Sequence, residues 1–473
     1  MAIECDVAIL GGGTGGYVAA IRAAQLGKSV VIVEKDKLGG TCLHRGCIPS
    51  KALLRSAEVY ADIKDSASYG IETSGATLVF PKVQERKEAI VQQLHQGVQY
   101  LMRKNKISVL QGKGRVIGPS IFSPKSGALA VELENGEMEN VVPANLIIAT
   151  GSRPRTLPGL KPDGDKIMTS DEALLMDELP DSIIIVGGGV IGVEWASMLC
   201  DFNVKVTLIE AADHILPQED QDIAAEMKRL LVKRGVEVRT NVQVLTDTYT
   251  DRGDSFSIEV QTGDDSETLS ASKILISVGR VANIENIGIE NTDIKTLNGF
   301  IEVNGQLQTA VPHIYAIGDC IGGLQLAHVA SHEGIRAVQH LAGEGVHATP
   351  DHFIPRAIYS RPEAASVGYT EKQARELGYT IKIGKFPFQA IGKALVHGHQ
   401  DGFAKVITDE KTNDILGVHL IGTHVTDLIS EAALAQLLDA TPWEVGQLVH
   451  PHPSLSEIIG EAMLDVDGSA IGK

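Results

Sequence analysis

Two cysteines separated by four residues are the most reactive side chains that the sequence brings together. Cys42 and Cys47 lie in the segment GGTCLHRGCIPSK at positions 39–51. In a regular helix their Cα atoms would be about 8.6 Å apart, beyond the roughly 4.4–6.8 Å that a disulfide allows. A disulfide therefore needs an irregular chain, which Gly46 permits, and the alternative is a pair of buried free cysteines. Pro49 suits the first turn of a helix predicted at 50–63, which would place Cys47 near a helix N-terminus, where a thiolate is favoured.

A second group of side chains that could do chemistry lies in the segment HPHPSLSEI at positions 450–458. An imidazole with an unperturbed pKa near ~6.5 can accept and return a proton at neutral pH, and a neighbouring carboxylate raises that pKa. Considered locally, Ser454 and Glu457 instead form a capping box, with Ser454 as the N-cap residue and Glu457 at N3. The residues alone leave open a structural helix start and a proton-transfer group.

The elements that would position this chemistry include one layout that occurs twice. Each copy has a strand, a G-x-G-x-x-G loop, a helix and a second strand that ends in an acid 23 residues after the first glycine: Gly11, Gly13, Gly16 and Glu34, then Gly187, Gly189, Gly192 and Glu210. The first glycine makes the turn, the second lets the backbone approach a pyrophosphate, and the third allows close packing of helix and strand. The acid can accept hydrogen bonds from a ribose. The layout predicts two dinucleotide sites.

The second acid also selects between nicotinamide cofactors. The Glu210 carboxylate would repel a 2′-phosphate, and residues 211–213 include no arginine that could hold one. We therefore predict NAD rather than NADP at the second site.

Length and charge narrow the class of protein. The 473 residues suffice for about three domains, and a net charge of −18 would repel nucleic-acid phosphates. The first 21 residues contain no Lys or Arg, and the longest apolar runs are short or broken by glycine. We expect a cytoplasmic protein with no nucleic-acid or membrane partner and no metal site. The isolated Cys5, Cys200 and Cys320 are assigned to packing.

The cysteine segment, together with the two dinucleotide layouts, resembles the pyridine nucleotide–disulfide oxidoreductases. The signature of that family, G-G-T-C-x4-C-x-P-x-K, is matched at 39–51, and residues 309–319 resemble its second flavin motif. The resemblance covers the whole chain. It implies that Cys42 and Cys47 form an active disulfide coupled to FAD, and that FAD is coupled to NAD.

The resemblance also implies roles for individual residues. The residues expected to bind FAD are Gly11, Gly13, Gly16, Glu34, Lys51, Gly114, Thr150, Asp319 and Ala327. Those expected at the NAD site are Gly187, Gly189, Gly192, Glu194, Glu210, Val244 and Gly279. Glu194 would lie where flavin and nicotinamide meet, with Lys51 as its ionic partner.

In the family, the C-terminal segment carries the motif H-P-T-x-S-E. The matching histidine is His452, which becomes the expected acid–base, while Glu457 orients it and stabilises the imidazolium and His450 has no catalytic part. Ser454 stands where the family usually has threonine. Because this histidine comes from the opposite subunit in the family, the resemblance implies a homodimer.

The implied fold class is α/β, with two Rossmann-like dinucleotide-binding domains and a C-terminal α+β dimerisation domain. The FAD-binding domain is expected at 1–152 and 280–350, the NAD-binding domain at 153–279 and the dimerisation domain at 351–473.

Within the family, small features favour a member that oxidises a lipoyl dithiol and reduces NAD. Its partners would be the lipoyl domain and core acyltransferase of a 2-oxo acid dehydrogenase complex. Glutathione reductases should carry arginines around Glu210, and mercuric reductases add a C-terminal cysteine pair, whereas no cysteine follows Cys320. A reductase of the glutathione or mercuric type is the alternative enzyme, and a scaffolding subunit without turnover is the alternative of another class.

Overall fold

The computed structural model describes residues 2–119, 126–345 and 348–472. The chain divides into two compact units. The first comprises Met1–Ala52, Gln84–Arg155 and Arg280–Ala348, and the second comprises Leu53–Val83, Thr156–Gly279 and Thr349–Lys473. The domain borders expected after 152, 279 and 350 stay predictions, and the limits at 1 and 473 lie outside the described residues. Among those residues, no helix has the length and apolarity needed to span a membrane.

The strands of the described residues are β1 (Ile3–Leu10), β2 (Val30–Glu34), β3 (Ser108–Ile117), β4 (Ala128–Leu133), β5 (Met138–Ile148), β6 (Ser152–Pro154), β7 (Ile167–Thr169), β8 (Ser182–Val186), β9 (Lys205–Glu210), β10 (Glu237–Thr240), β11 (Gln243–Asp251), β12 (Phe256–Thr262), β13 (Asp265–Ala271), β14 (Lys273–Ile276), β15 (Arg280–Ala282), β16 (Thr296–Leu297), β17 (Phe300–Ile301), β18 (Ile314–Ala316), β19 (Arg356–Ile358), β20 (Glu363–Gly368), β21 (Ile381–Pro387), β22 (Phe403–Asp409) and β23 (Ile415–Gly422).

The α-helices of the same residues are α1 (Thr14–Gln25), α2 (Gly40–Arg45), α3 (Cys47–Lys64), α4 (Phe80–Lys104), α5 (Ser170–Ala173), α6 (Val190–Asp201), α7 (Gln221–Lys233), α8 (Ala327–Leu341), α9 (Glu371–Glu376), α10 (Gly392–His397), α11 (Val425–Leu437), α12 (Pro442–Gln447) and α13 (Glu457–Asp465).

The first unit is built on a parallel sheet in the order β18-β5-β1-β2-β3. Strands β3 and β5 are long enough to pair a second time, and their other parts pair antiparallel with β4. Successive side chains of a strand point to opposite faces, so Val7 and Ile9 join one core with α1 while Ala8 and Leu10 join another with β4. Because both faces are covered, residues 7–10 of β1 and 30–33 of β2 form continuous apolar runs.

The second unit contains a parallel sheet in the order β10-β9-β8-β14-β7 and a three-stranded antiparallel sheet β11-β12-β13. Ile183 and Ile185 of β8 face the core that includes α6 and α7, whereas Ile184 and Val186 face β12. The unit also holds an antiparallel sheet in the order β19-β20-β23-β22-β21, whose core includes residues of α11 and α13.

The expected fold class is confirmed. The two predicted layouts are the successions β1-α1-β2 and β8-α6-β9, and Glu34 and Glu210 are the last residues of β2 and β9. In both copies the helix begins immediately after the second glycine of the loop.

Candidate active site

The break between α2 and α3 brings the two cysteines of the segment 39–51 together. Helix α2 ends at Arg45, Gly46 adopts φ −147° and ψ −117°, and α3 begins at Cys47. Hydrogen bonding to Cys47 raises the pKa of the Cys42 thiol, as does burial, while the Thr14 side chain and the Lys51 charge act in the opposite direction. The two side chains are therefore close enough to interact. Both are thiols in this structure, and the disulfide between them stays a prediction.

The start of α3 corrects one sequence expectation. The helix begins at Cys47, three residues before the predicted Ser50, and Ile48 is helical although it precedes Pro49. Proline is tolerated in the first turn because the N–H groups there have no intrahelical acceptor. Cys47 is thus the first residue of the helix, where the helix dipole favours a thiolate.

The glutamate at the end of β2 and the one at the end of β9 each accept a hydrogen bond from the glycine loop of their own copy. Glu34 accepts hydrogen bonds from Gly12 N–H at 2.6 Å and from Asp36 N–H at 2.8 Å. Glu210 accepts the equivalent bonds from Gly188 N–H at 2.7 Å and from Ala212 N–H at 2.8 Å. A carboxylate offers about four acceptor positions, so both acids keep lone pairs for a ribose.

In each loop the fold itself requires glycine at the first and third positions of the motif, whereas the second position faces space that a ligand could occupy. A Cβ at Gly16 would lie 1.9 Å from the Gly11 carbonyl oxygen, and one at Gly192 would lie 1.9 Å from that of Gly187. Gly11 and Gly187 have φ +110° and +107°, which side chains rarely adopt. By contrast, a Cβ at Gly189 would meet no protein atom within 4 Å, and one at Gly13 would meet only the Gly40 Cα at 3.9 Å. The residues present therefore fit dinucleotides at both loops.

Asp319 belongs to a polar network within the first unit. The Ser152 hydroxyl donates to the Asp319 carboxylate, and Arg280 Nε donates to the same Ser152 hydroxyl at 2.6 Å. Arg280 Nη2 also donates to the Ser152 carbonyl at 2.9 Å, across the pairing of β6 with β15. The motif predicted Asp319 as a cofactor ligand but did not reveal that Ser152 and Arg280 hold its side chain.

Three other residues predicted to bind FAD, Gly114, Thr150 and Ala327, differ in how much of their environment the protein itself fills. Gly114 lies in β3, and a Cβ there would come within 2.6 Å of Leu10 and 2.9 Å of Val33, so packing alone explains the glycine. Thr150 follows β5, and its carbonyl accepts a hydrogen bond from the Asn283 side chain at 3.1 Å. Ala327 is the first residue of α8, where backbone N–H groups remain available to a ligand.

Three further predicted residues of the NAD site lie in the second unit. Glu194 is buried in the second turn of α6, and its Oε1 accepts a hydrogen bond from Tyr359 N–H at 2.9 Å. Val244 belongs to β11, and Gly279 follows β14 with φ +98° and no protein atom within 4 Å of a Cβ position. The ion pair of Glu194 with Lys51 stays a prediction.

The C-terminal histidine and glutamate are in direct contact. His452 Nδ1 lies 2.8 Å from Glu457 Oε1, and the imidazole side chain is 79% exposed. Burial raises the pKa of the Glu457 carboxyl, but hydrogen bonds from Ser454 N–H and His452 outweigh it and lower that pKa overall. Since a carboxylate only accepts, His452 donates through Nδ1, and Nε2 is the ring nitrogen that does not contact Glu457.

The predicted capping box is wrong in one half. Ser454 N–H does donate to Glu457 Oε2 at 2.8 Å, but the Ser454 hydroxyl bonds Ser456, and α13 begins at Glu457 with Ser456 as its N-cap residue. The predicted bystander His450 has its own carboxylate partner, Glu431 Oε1 at 2.8 Å, and its side chain is only 8% exposed. No local motif signalled that pair, because the two residues belong to different elements.

The remaining cysteines have the environment of packing residues. Burial raises the pKa of Cys5 and of Cys320 to about 11 in each case. Burial also raises the pKa of Cys200, whose thiol donates to the Arg234 carbonyl at 3.2 Å.

The family model of the pyridine nucleotide-disulphide oxidoreductases matches residues 5–334, and the model of their dimerisation domain matches residues 354–463. The chain belongs to this family, which uses FAD and NAD.

The chain is similar to several characterised proteins over its full length. A dihydrolipoyl dehydrogenase of Bacillus subtilis is 63% identical over 472 residues, and one of Zymomonas mobilis is 41% identical over 473 residues, with 100% of both chains covered in each case. The solved structure of LpdA from Mycobacterium tuberculosis has a TM-score of 0.90 at 27% identity, covering 98% of this chain and 99% of that chain. The HOCl-induced flavoprotein disulfide reductase RclA from Escherichia coli has a TM-score of 0.83 at 27% identity, covering 97% and 99%.

Proposed function

We propose that this protein oxidises protein-bound dihydrolipoamide to lipoamide and reduces NAD, which is dihydrolipoyl dehydrogenase activity. The observation that carries the proposal is the interaction of Cys42, in α2, with Cys47, the first residue of α3. The full-length similarity to dihydrolipoyl dehydrogenases supports the lipoyl substrate, and Glu210 supports NAD over NADP.

The first step is removal of a proton from one dihydrolipoyl thiol. His452 accepts it at Nε2, because Nδ1–H is engaged by Glu457. The adjacent Glu457 carboxylate stabilises the imidazolium that results.

The second step is thiol–disulfide exchange on the oxidised cysteine pair. The substrate thiolate attacks the Cys42 sulfur and forms a bond with it, while the bond between Cys42 and Cys47 breaks and Cys47 leaves as a thiolate. The second substrate thiol then attacks the substrate sulfur bonded to Cys42. The bond between that sulfur and Cys42 breaks, and Cys42 leaves as a thiolate that takes up the proton of the attacking thiol. Lipoamide is released, and the two electrons remain on the reduced cysteines.

Residues of the two glycine loops and of neighbouring parts of the chain would hold the cofactors. The proposed FAD ligands are Gly11, Gly13, Gly16, Glu34, Lys51, Gly114, Thr150, Asp319 and Ala327. The proposed NAD ligands are Gly187, Gly189, Gly192, Glu194, Glu210, Val244 and Gly279. The chemistry that FAD supplies when bound is transfer of the electron pair from the reduced cysteines to NAD.

We further propose a cytoplasmic homodimer that serves the lipoyl domain and core acyltransferase of a 2-oxo acid dehydrogenase complex. The matched dimerisation domain supports the dimer. Large apolar side chains inside that domain are also exposed, among them Leu437, Leu438, Trp443 and Val449. Surfaces of this kind are typical of protein interfaces.

A substrate panel tests the proposal. Purified holoenzyme is assayed with dihydrolipoamide, oxidised glutathione and mercuric ion, each with the NAD and the NADP couple, and the Cys47→Ser variant is the control for turnover through the cysteine pair. We expect rapid turnover of dihydrolipoamide with NAD and none in the variant. Turnover of glutathione or mercuric ion with NADPH, and none of dihydrolipoamide with NAD, would overturn the proposal in favour of a reductase of that type.

A further inference from the structure

Helix α6, which begins at the second glycine loop, carries a row of buried polar side chains. Glu194, Ser197 and Asp201 are all buried and follow the i, i+3, i+7 spacing that places residues on one face of a helix. Burying polar groups costs free energy unless each is hydrogen-bonded. Each of these three side chains therefore needs a hydrogen-bonding partner.

All three side chains bind the short connection between β19 and β20. Tyr359 N–H donates to Glu194 at 2.9 Å, and Arg361 N–H donates to the Ser197 hydroxyl at 2.9 Å. The Arg361 guanidinium donates two hydrogen bonds to the Asp201 carboxylate, from Nε at 3.0 Å and from Nη2 at 2.5 Å. The connection thus contacts α6 at three successive turns.

Arg234, at the end of α7, reinforces the same face. Its Nη2 lies 2.7 Å from Asp201 Oδ1 and donates to the Ser197 carbonyl at 2.8 Å, and its Nη1 donates to the Ser197 hydroxyl at 2.9 Å. The Asp201 side chain is only 6% exposed and is paired with two guanidinium groups. Such bidentate, charge-assisted contacts fix geometry as well as adding energy.

We propose that Arg361 is a positioning residue for NAD. By binding Ser197 and Asp201, Arg361 fixes the position of α6 along the helix axis. The positions of the 187–192 loop and of Glu194 along that axis are fixed with it. This inference rests on the proposed NAD site and adds to it a residue that does not belong to the dinucleotide motif.

The physical reason is the stiffness of a short, packed helix. The 12 residues of α6 span about 18 Å, and their backbone hydrogen bonds resist compression along the axis. Protein interiors are close-packed and transmit displacements rather than absorbing them. A shift of the Asp201 end therefore moves the loop by a similar amount, and hydrogen bonds from the loop to a ligand weaken steeply with such a shift.

The test compares NAD binding in matched variants of the holoenzyme. Arg361→Met removes the guanidinium, and Arg361→Lys keeps a cation. Arg229→Met removes an arginine of α7 whose side chain is 54% exposed and pairs with Glu226 and Asp401, and it is the control. Calorimetric titration with NAD gives the Kd, and steady-state assays give kcat and the KM for NAD and for dihydrolipoamide.

We expect Arg361→Met to raise the Kd and KM for NAD roughly 2- to 30-fold, with the KM for dihydrolipoamide unchanged. Arg361→Lys should recover part of the loss, and Arg229→Met should stay within about twofold of the parent. An unchanged Kd for NAD in Arg361→Met, with only a lower unfolding midpoint, would show that Arg361 contributes to stability and not to NAD binding. That result would overturn the inference.

A gentler variant covers the case in which Arg361→Met does not fold. Ser197→Ala removes the hydroxyl that accepts from Arg361 N–H and from Arg234 and leaves the pairing of Arg361 with Asp201 in place. A smaller rise in the Kd for NAD is expected, and an unchanged Kd there also overturns the inference. The titration needs no lipoamide turnover. A parent that binds NAD but does not oxidise dihydrolipoamide would contradict the proposed function alone, and a parent that does not bind NAD would contradict both.

Discussion

At the scale of single residues, the contact between His452 and Glu457 selects which imidazole nitrogen can react. Glu457 receives Nδ1–H, so Nε2 is the atom that can accept a thiol proton. His450, two residues earlier, also has a carboxylate partner but is largely buried. Two histidines of similar local sequence therefore differ in access to a substrate.

We predict that the two members of this pair contribute differently to the rate. His452→Gln removes the proposed base and should lower kcat/KM for dihydrolipoamide about 10²–10⁴-fold. Glu457→Gln keeps an acceptor but removes the charge that stabilises the imidazolium, and should cost about 10- to 100-fold. Stopped-flow measurement of cysteine reduction checks both values. His450→Gln is the control, and a loss there as large as in His452→Gln would contradict the assignment.

At the scale of elements, each glycine loop divides its tasks between folding and ligand binding. Gly16 and Gly192 cannot carry a Cβ without striking the carbonyl of the first glycine of the loop, whereas Gly189 faces open space. The second position is therefore where a substitution separates binding from stability.

Gly189→Ala is expected to weaken NAD binding strongly while leaving the unfolding midpoint close to that of the parent, because its methyl group would occupy the approach of the pyrophosphate. Calorimetric titration with NAD and urea unfolding measure the two effects. Gly97→Ala, in α4 and also without a protein atom within 4 Å of the Cβ position, is the control that should not change NAD binding. Normal NAD affinity in Gly189→Ala would rule out this loop as the pyrophosphate site.

A buried cation connects several elements of the second unit. Lys405 of β22 is 2% exposed and lies 2.9 Å from Asp220 and 2.8 Å from Glu371. Burial alone would lower the pKa of Lys405, but the hydrogen bonds with these two acids raise it overall. Burial has the opposite sign for an acid and raises the pKa of Asp220. The charged and hydrogen-bonding neighbours of Asp220, Lys405 among them, outweigh burial and lower that pKa below its usual value.

Lys405→Met should lower the free energy of unfolding by about 3–5 kcal/mol at pH 7, because it leaves the buried Asp220 carboxylate without its cation. A carboxyl whose pKa is lowered in the folded state stabilises the protein above its unfolded pKa, and that stabilisation is lost as the pH falls through the folded pKa. The difference between parent and variant should therefore shrink on acidification. Because the pKa of Asp220 in the folded state lies below its ordinary value, urea unfolding at about pH 7 and at about pH 3 measures the effect.

The exposed pair of Lys372 and Glu376 provides the control for that measurement. The Lys372 side chain is 83% exposed, so Lys372→Met should change the free energy of unfolding by no more than about 0.5 kcal/mol. A difference for Lys405→Met that stays constant with pH would show that lost packing, rather than lost charge pairing, causes the destabilisation.

At the scale of the whole molecule, the proposed chemistry depends on a dimer in which each site uses the cysteines of one subunit and the histidine of the other. The matched dimerisation domain and the high exposure of His452 support this arrangement. In an isologous dimer the same surface serves both subunits, so two equivalent sites result.

Complementation between two inactive variants tests that arrangement. In a hybrid dimer of Cys47→Ser and His452→Gln subunits, one site has both native groups and the other has neither. Random pairing after co-expression should therefore restore about a quarter of the parent activity. Each variant expressed alone is the control and should be inactive. Absence of activity in the isolated hybrid would place both groups in one subunit.

The sequence by itself determined the parts that depend on local spacing. Glycine loops, strand-end acids and the alternation of strand and helix are local, and β1-α1-β2 and β8-α6-β9 form as predicted because their backbone requirements are satisfied within about 25 residues. The proximity of Cys42 and Cys47 follows similarly from the helix break that Gly46 allows. The Ser50 helix start was wrong because proline is tolerated anywhere in the first turn.

The tertiary structure alone decided which distant side chains complete these local units. Ser152 and Arg280 hold Asp319, Arg361 holds Asp201, and Lys405 lies between Asp220 and Glu371, although none of these partners is close in sequence. A buried charge or hydroxyl needs a partner, but its own sequence neighbourhood does not specify one. The packing of elements supplies that partner, since only the folded chain brings the groups within hydrogen-bonding distance.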